Sequence, residues 1–140
     1  MFSQRIKSVM ERETLLTAPP ETSVAEAARK MASAATGAIV VVDAEVVVGI
    51  FTERDAVFRV IAQGRDARTT RLAEVMTPDP ITVEPDRTFG YALGLMHEHG
   101  FRHMPVLENG KPVGIVSSRD ALDPEMEDFV CEARRREGIR

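Results

Sequence analysis

At 140 residues, 44% of them hydrophobic and 29% charged, the chain has apolar material for one domain or two closely packed half-domains. A net charge of −4 argues against a nucleic-acid binder working through a broad basic face, and no apolar run approaches the ~18 residues needed to span a bilayer. The start, MFSQRIKSVMERE, carries charges where a signal peptide needs its apolar stretch, and a single cysteine, Cys131, makes no internal disulfide, so a cytoplasmic protein is expected.

In chain order, the extended piece LLTAPP ends at proline and an amphipathic helix follows, with Val24, Ala27, Ala28 and Met31 on one face. Ser23 and Glu26 fit a capping box at its start. Two strands, AIVVVD and VVVGIF, precede a helix from Glu53 to about Ala62, stopped near Gly64. The polar RDARTTR, 65–71, reads as a linker. The order then recurs: PITVEP, a helix with Phe89, Ala92, Leu93 and Met96 on one face, and strands MPVLE and PVGIVS. Asn109-Gly110 between these strands is a two-residue hairpin turn, and a helix begins at Arg119. Asp123-Pro124 opens a tail helix with Met126, Phe129, Val130 and Ala133 on one face and Arg134 to Arg136 near its end. The expected division is a first repeat with its lead-in at 1–64, the linker, a second repeat at 72–122 and a C-terminal helix at 123–140.

Self-comparison strengthens the division. Setting Gly49 on Gly114 gives an offset of 65 and pairs Thr17 with Thr82, Pro20 with Pro85, Ala27 with Ala92 and Met31 with Met96. Arg54, Asp55 and Ala56 fall on Arg119, Asp120 and Ala121, while Val9-Met10 and Val75-Met76 match with one residue inserted. The core of the repeat is GIFTERDA against GIVSSRDA.

That doubled stretch has two readings. As an anion site, a helix start offers unpaired N–H groups, Thr52 or Ser117 a hydroxyl for a phosphate, Arg54 or Arg119 a fixed positive charge, and the glycine a close backbone approach. Asp55 or Asp120 could then accept hydrogen bonds from a ribose diol. As a capping box, Thr or Ser closes the helix start with an acidic residue three places on. A cap requires neither the glycine nor the arginine.

The pattern G-h-h-[ST]-x-x-D after strand, helix and hairpin, written twice, resembles a tandem pair of CBS domains, or Bateman module. FRHMPVLENGKPVGIVSSRDAL and TVEPDRTFGYALGLM carry the resemblance, which spans about Ile6 to Leu122. The first copy departs at Thr36, Gly37, Ala38 and Val40, where the family often has a basic residue and then x-P-V. The resemblance implies an α/β fold of two β-α-β-β-α repeats related by a pseudo-twofold axis. It implies clefts between the repeats for AMP, ADP, ATP, NAD or S-adenosylmethionine, held as regulatory ligands with no cofactor required. Each cleft takes hydroxyl and aspartate from one repeat and its lip from the other. The nucleotide-binding candidates are Thr17, Thr36, Gly37, Ala38, Thr52, Arg54 and Asp55 in the first repeat. In the second they are Thr82, Phe101, Arg102, His103, Met104, Pro105, Ser117, Arg119 and Asp120. Cross-pairing would line the Asp55 cleft with Phe101 to Met104, so that Arg102, joined by His103 as pH falls through about 6.5, favours ligands with more phosphates. It would line the Asp120 cleft with Thr36 to Ile39. A homodimer signalling to an effector protein is implied, without membrane or nucleic acid.

The alternatives are a structural dimerisation module without ligand and, more remotely, a metal-dependent enzyme. HEHGFRH places His97 and His99 on different helix faces and is not H-E-x-x-H, and GIFTERD lacks a Walker lysine. No catalysis is expected.

Overall fold

A computed structural model describes residues 2–121 and Arg136, so all of the expected tail helix except Arg136, Cys131 included, falls outside the described residues. A short helix α1 (Ile6–Val9) tightens into a 3-10 turn at Met10–Arg12. Strand β1 (Thr17–Ala18) leads to helix α2 (Val24–Ala34), then strands β2 (Ala38–Asp43) and β3 (Val46–Thr52). The next helix starts as α3 (Glu53–Asp55) and widens into a π-helix over Ala56–Ile61, where an uninterrupted helix was expected. At its end Ala62 N–H donates five residues back to the Val57 carbonyl at 2.9 Å, and Arg65 N–H closes a second turn of the same width on Val60 at 3.0 Å. The second half follows with α4 (Leu72–Val75), β4 (Thr77–Pro78), α5 (Phe89–His99), β5 (His103–Glu108), β6 (Lys111–Ser117) and a 3-10 turn at Ser118–Ala121.

The two halves mirror each other. β1 pairs in parallel with β2, which forms an antiparallel hairpin with β3; Val83 bridges Val106 in parallel, and β5 forms the matching hairpin with β6. Both hairpins carry a register shift at the same place, Val41/Val42 and Val106/Leu107. Both helices start on a hydroxyl: Ser23 accepts from Glu26 N–H at 3.1 Å and Thr88 from Tyr91 N–H at 3.3 Å. Ala28, expected on the buried face of α2, is exposed; Val24, Ala27 and Met31 bury a narrower stripe.

Packing crosses the sequence boundary. Ile6 and Val9, at the start of the chain, are fully buried among Val83, Phe89, Met96, Val106 and Val116 of the second half. Leu72 and Val75, at the start of the second half, are buried among Ala27, Ile39, Phe51 and Val60 of the first. The backbone repeats the exchange, with Ile6 N–H donating to Arg87 and Leu72 N–H to Thr22, both at 2.9 Å. The 65–71 segment is fastened as well: Ala67 and Thr70 carbonyls accept from Ala25 and Val24, both at 2.9 Å, which satisfies two amides of the first turn of α2. A third cluster, Ala38, Val40, Ile50 and Ile115, joins the two sheets across the pseudo-twofold axis.

This crossing explains the doubled glycine. A Cβ at Gly49 would collide with Met76 Sδ, and one at Gly114 would stand 2.7 Å from Met10 Sδ. The close approach that the glycines permit is by a methionine of the crossed-over lead-in, rather than by a ligand.

Candidate functional site

A cleft of about 900 Å³ opens between the halves. The C-terminal end of β3 and the following helix contribute Ile50, Thr52, Glu53, Arg54, Asp55, Val57, Phe58 and Arg59. The second half contributes Thr77, Asp79, Pro80 and Ile81, and a lip of His99, Gly100, Phe101, Arg102 and His103. Six of the expected residues therefore meet here: Thr52, Arg54 and Asp55 with Phe101, Arg102 and His103. That volume accommodates a mononucleotide-sized ligand, within the roughly 300–1,000 Å³ of typical ligand pockets.

Asp55 is 7% exposed and has two duties in the fold. Its Oδ2 accepts from Thr52 N–H at 2.9 Å and Thr52 Oγ1 at 3.3 Å, while Thr52 Oγ1 accepts from Asp55 N–H at 3.3 Å. The capping box is thus present in the first copy, aspartate notwithstanding. Asp55 Oδ1 faces Arg59 Nε at 3.4 Å, and Arg59 also donates to the Met76 carbonyl at 3.1 Å. A carboxylate offers about four acceptor sites, so a ribose diol could still be held beside these partners. Arg54 is exposed, its guanidinium 5.2 Å from the Phe58 ring centroid. Arg102 is exposed at the lip.

His103 gains its charge at lower pH than an unperturbed histidine would. Burial pushes its pKa below the ordinary histidine range, against the pull of Glu53 and with help from Arg102. The shift favours the neutral ring over the charged one. His99 stacks beside Phe101 with centroids 6.0 Å apart. The described residues hold no group of three or more histidine, cysteine, aspartate or glutamate side chains able to bind a metal.

Other candidates lie elsewhere. Met104 is fully buried in the core of the second half, and Pro105 is buried beside it in β5. Thr17 is exposed on edge strand β1. Thr82 lines a separate, smaller cavity with Asp86, Arg87, Tyr91 and Glu108, while its neighbours Pro80 and Ile81 line the cleft. Ala38 and Ile39 are fully buried, and Thr36 is half-buried. Gly37 accepts from Glu53 N–H at 3.0 Å, and a Cβ there would stand 3.3 Å from His103 Nε2, so the lips of the two halves meet.

The second copy of the motif is built differently. Ser117 N–H donates to Asp120 Oδ2 at 2.9 Å, as in the first copy. The Ser117 hydroxyl instead donates to Glu13 Oε1 at 2.8 Å, so it is not the open phosphate ligand that was expected. Glu13 Oε2 is buried with no hydrogen-bond partner. Burial first, and then the charge of Asp120, raise the Glu13 pKa; the Ser117 hydrogen bond and exposed Arg119 oppose this.

Sequence reasoning missed the rest of the lining, among it Arg59, Asp79, Pro80 and Ile81. Arg59 lies one helical turn beyond Asp55 and was legible as an i,i+4 pair. The other three follow the crossed-over lead-in, whose position is not written in local sequence.

The family model of the CBS domain matches residues 6–62 and 72–125. CBS domain-containing protein YhcV of Bacillus subtilis is 34% identical over 121 residues, 86% of this chain and 85% of its own. A protein of Methanopyrus kandleri is 36% identical over 127 residues; the match covers 89% of this chain but 64% of the relative, and a fission-yeast relative is spanned over only 14% of its length. Among solved structures, a putative signal-transduction protein with CBS domains from Burkholderia ambifaria has a TM-score of 0.78 at 32% identity, covering 92% of this chain and 95% of its own. A CBS domain protein of Pyrobaculum aerophilum complexed with AMP has a TM-score of 0.77 at 25% identity, over 92% and 99% of the two chains. With both repeats matched and the same fold in its neighbours, the chain belongs to the CBS-domain family as a tandem pair.

Proposed function

We propose that the protein is a regulatory CBS pair in the cytoplasm that binds an adenosyl nucleotide in the Asp55 cleft and passes the binding signal to an effector protein. The observation that carries this reading is the meeting, in one cleft, of Thr52, Arg54 and Asp55 from one repeat with Phe101, Arg102 and His103 from the other. Ile50, Val57, Phe58, Pro80, Ile81 and Phe101 supply apolar surface for a base, Asp55 acceptors for a ribose, and Arg54 and Arg102 positive charge for phosphate. The AMP complex of the Pyrobaculum relative supports the ligand class. Thermal unfolding with AMP, ADP, ATP, NAD and S-adenosylmethionine tests it: a ligand at 100 times its Kd adds about 2.7 kcal/mol of stability and raises Tm by several degrees. No shift with any of the five would favour the ligand-free structural module.

The π-helix leaves Val57, Phe58 and Ile61 exposed at 49%, 58% and 71%. Val57 and Phe58 line the cleft, so Ile61, outside that lining, marks the face through which the proposed homodimer assembles, and a sedimenting species of one chain's mass at micromolar concentration would exclude it.

A further inference from the structure

We propose that Glu13 closes the Ser117–Asp120 motif to phosphate, so that each chain takes one nucleotide, in the Asp55 cleft; the inference rests on the nucleotide reading above. Ser117 is the counterpart of Thr52 at the repeat offset, and Glu13 is the counterpart of Asp79 at the lead-in offset. Asp79 is exposed and lines the open cleft. Glu13, one methylene longer, reaches the Ser117 hydroxyl at 2.8 Å. The Thr52 hydroxyl donates to Asp55 of its own motif at 3.3 Å, whereas Ser117 donates to a second carboxylate, brought by the lead-in, at 2.8 Å. A phosphate entering beside Ser117 would meet the charge of Glu13 where a donor is needed, with the Asp120 carboxylate close by.

The glutamate is held in place by its neighbours. Glu13 N–H donates to the Met10 carbonyl at 3.2 Å, closing the 3-10 turn, and Met10 is seated on Gly114 of β6. Arg12 donates to the Asp120 carbonyl oxygen at 3.4 Å, fastening the lead-in to the second motif. The crossed-over lead-in thus delivers an internal anion to the position that a ligand's phosphate would need.

Calorimetric titration with AMP tests the assignment on wild type, Glu13→Ala and Glu13→Gln, each checked for a cooperative unfolding transition. The expected result is one AMP per wild-type chain and two per Glu13→Ala chain, with the added site at least tenfold tighter than in wild type. Glu13→Gln removes the charge but keeps an acceptor for Ser117, and gains less. Adding Ser117→Ala to Glu13→Ala should weaken the new site and leave the first unchanged. Two AMP per wild-type chain, or an unchanged count in both Glu13 variants, would overturn this inference while leaving the nucleotide reading intact. Binding by none of the proteins would overturn both.

Discussion

Replacing Asp55 with alanine removes a helix cap and a ligand acceptor together, because one carboxylate closes on Thr52 and faces the cleft. Loss of the cap costs about 0.5–2 kcal/mol of stability. Loss of the ribose contact would weaken nucleotide binding roughly 10- to 150-fold, or ~1.5–3 kcal/mol. Urea denaturation and titration on the same variant separate the two, and a stability loss with unchanged affinity would leave Asp55 a cap alone. Glu13 gives a second prediction, in pH. Its pKa is raised on folding, by burial first and then by Asp120, so the folded chain holds its proton more tightly than the unfolded one. The contribution to stability is therefore present at low pH and lost as pH rises from the ordinary glutamate range, ~4.5, through the raised value. Glu13→Gln should gain stability over wild type, more at pH 8 than at pH 4, and a pH-independent difference would contradict the shift. Neither Glu13 contact was legible in the sequence, since Ser117 lies 104 residues along the chain from it. The repeat alignment treats the two hydroxyls as equals, and only tertiary packing sets them apart.

Local chemistry explains some elements well and others poorly. The second hairpin turns at Asn109 (φ 53°) and Gly110 (φ 79°), the pair of left-handed residues that Asn-Gly predicts. The first makes the same turn with Ala44 (φ 49°) and Glu45 (φ 69°), which carry no turn signal. Nonglycine residues pay about 1–2 kcal/mol for that conformation, and the flanking strands and the core behind them impose it. Ala44→Asn with Glu45→Gly should therefore stabilise the protein by about 1 kcal/mol, less the extra unfolded-state freedom of glycine. Guanidinium denaturation would show a higher midpoint at unchanged slope, and a lower midpoint would mean that these side chains are needed where they stand. Helix faces were legible because Val24, Ala27 and Met31, like Phe89, Ala92 and Met96, follow the helical period. The π-helix was not, because its widened hydrogen bonds leave no mark in the spacing of AVFRVI.

At the scale of the whole molecule, the crossed lead-ins make each half depend on residues from the other. They also set the cleft: Thr77, Asp79, Pro80 and Ile81 reach it because α4 and β4 have crossed to the first half, β4 pairing with β3 at Gly49 and Ile50. The repeat was readable from sequence, but the exchange was not, since aligning the copies says which segments correspond and nothing of which partner each one packs on. Ile6, fully buried, tests the exchange. Ile6→Ala removes a core side chain at a cost of about 2–5 kcal/mol. Amide hydrogen exchange should then quicken in the β5–β6 hairpin and α5, far along the chain, with much less effect on β2, β3 and α2 beside it in sequence. Leu72→Ala, the matching change, should quicken exchange in β2, β3 and α2 instead. If each substitution loosened the half that contains it in sequence, the lead-ins would not have crossed, and the route that carries Glu13 to Ser117 would fail with them.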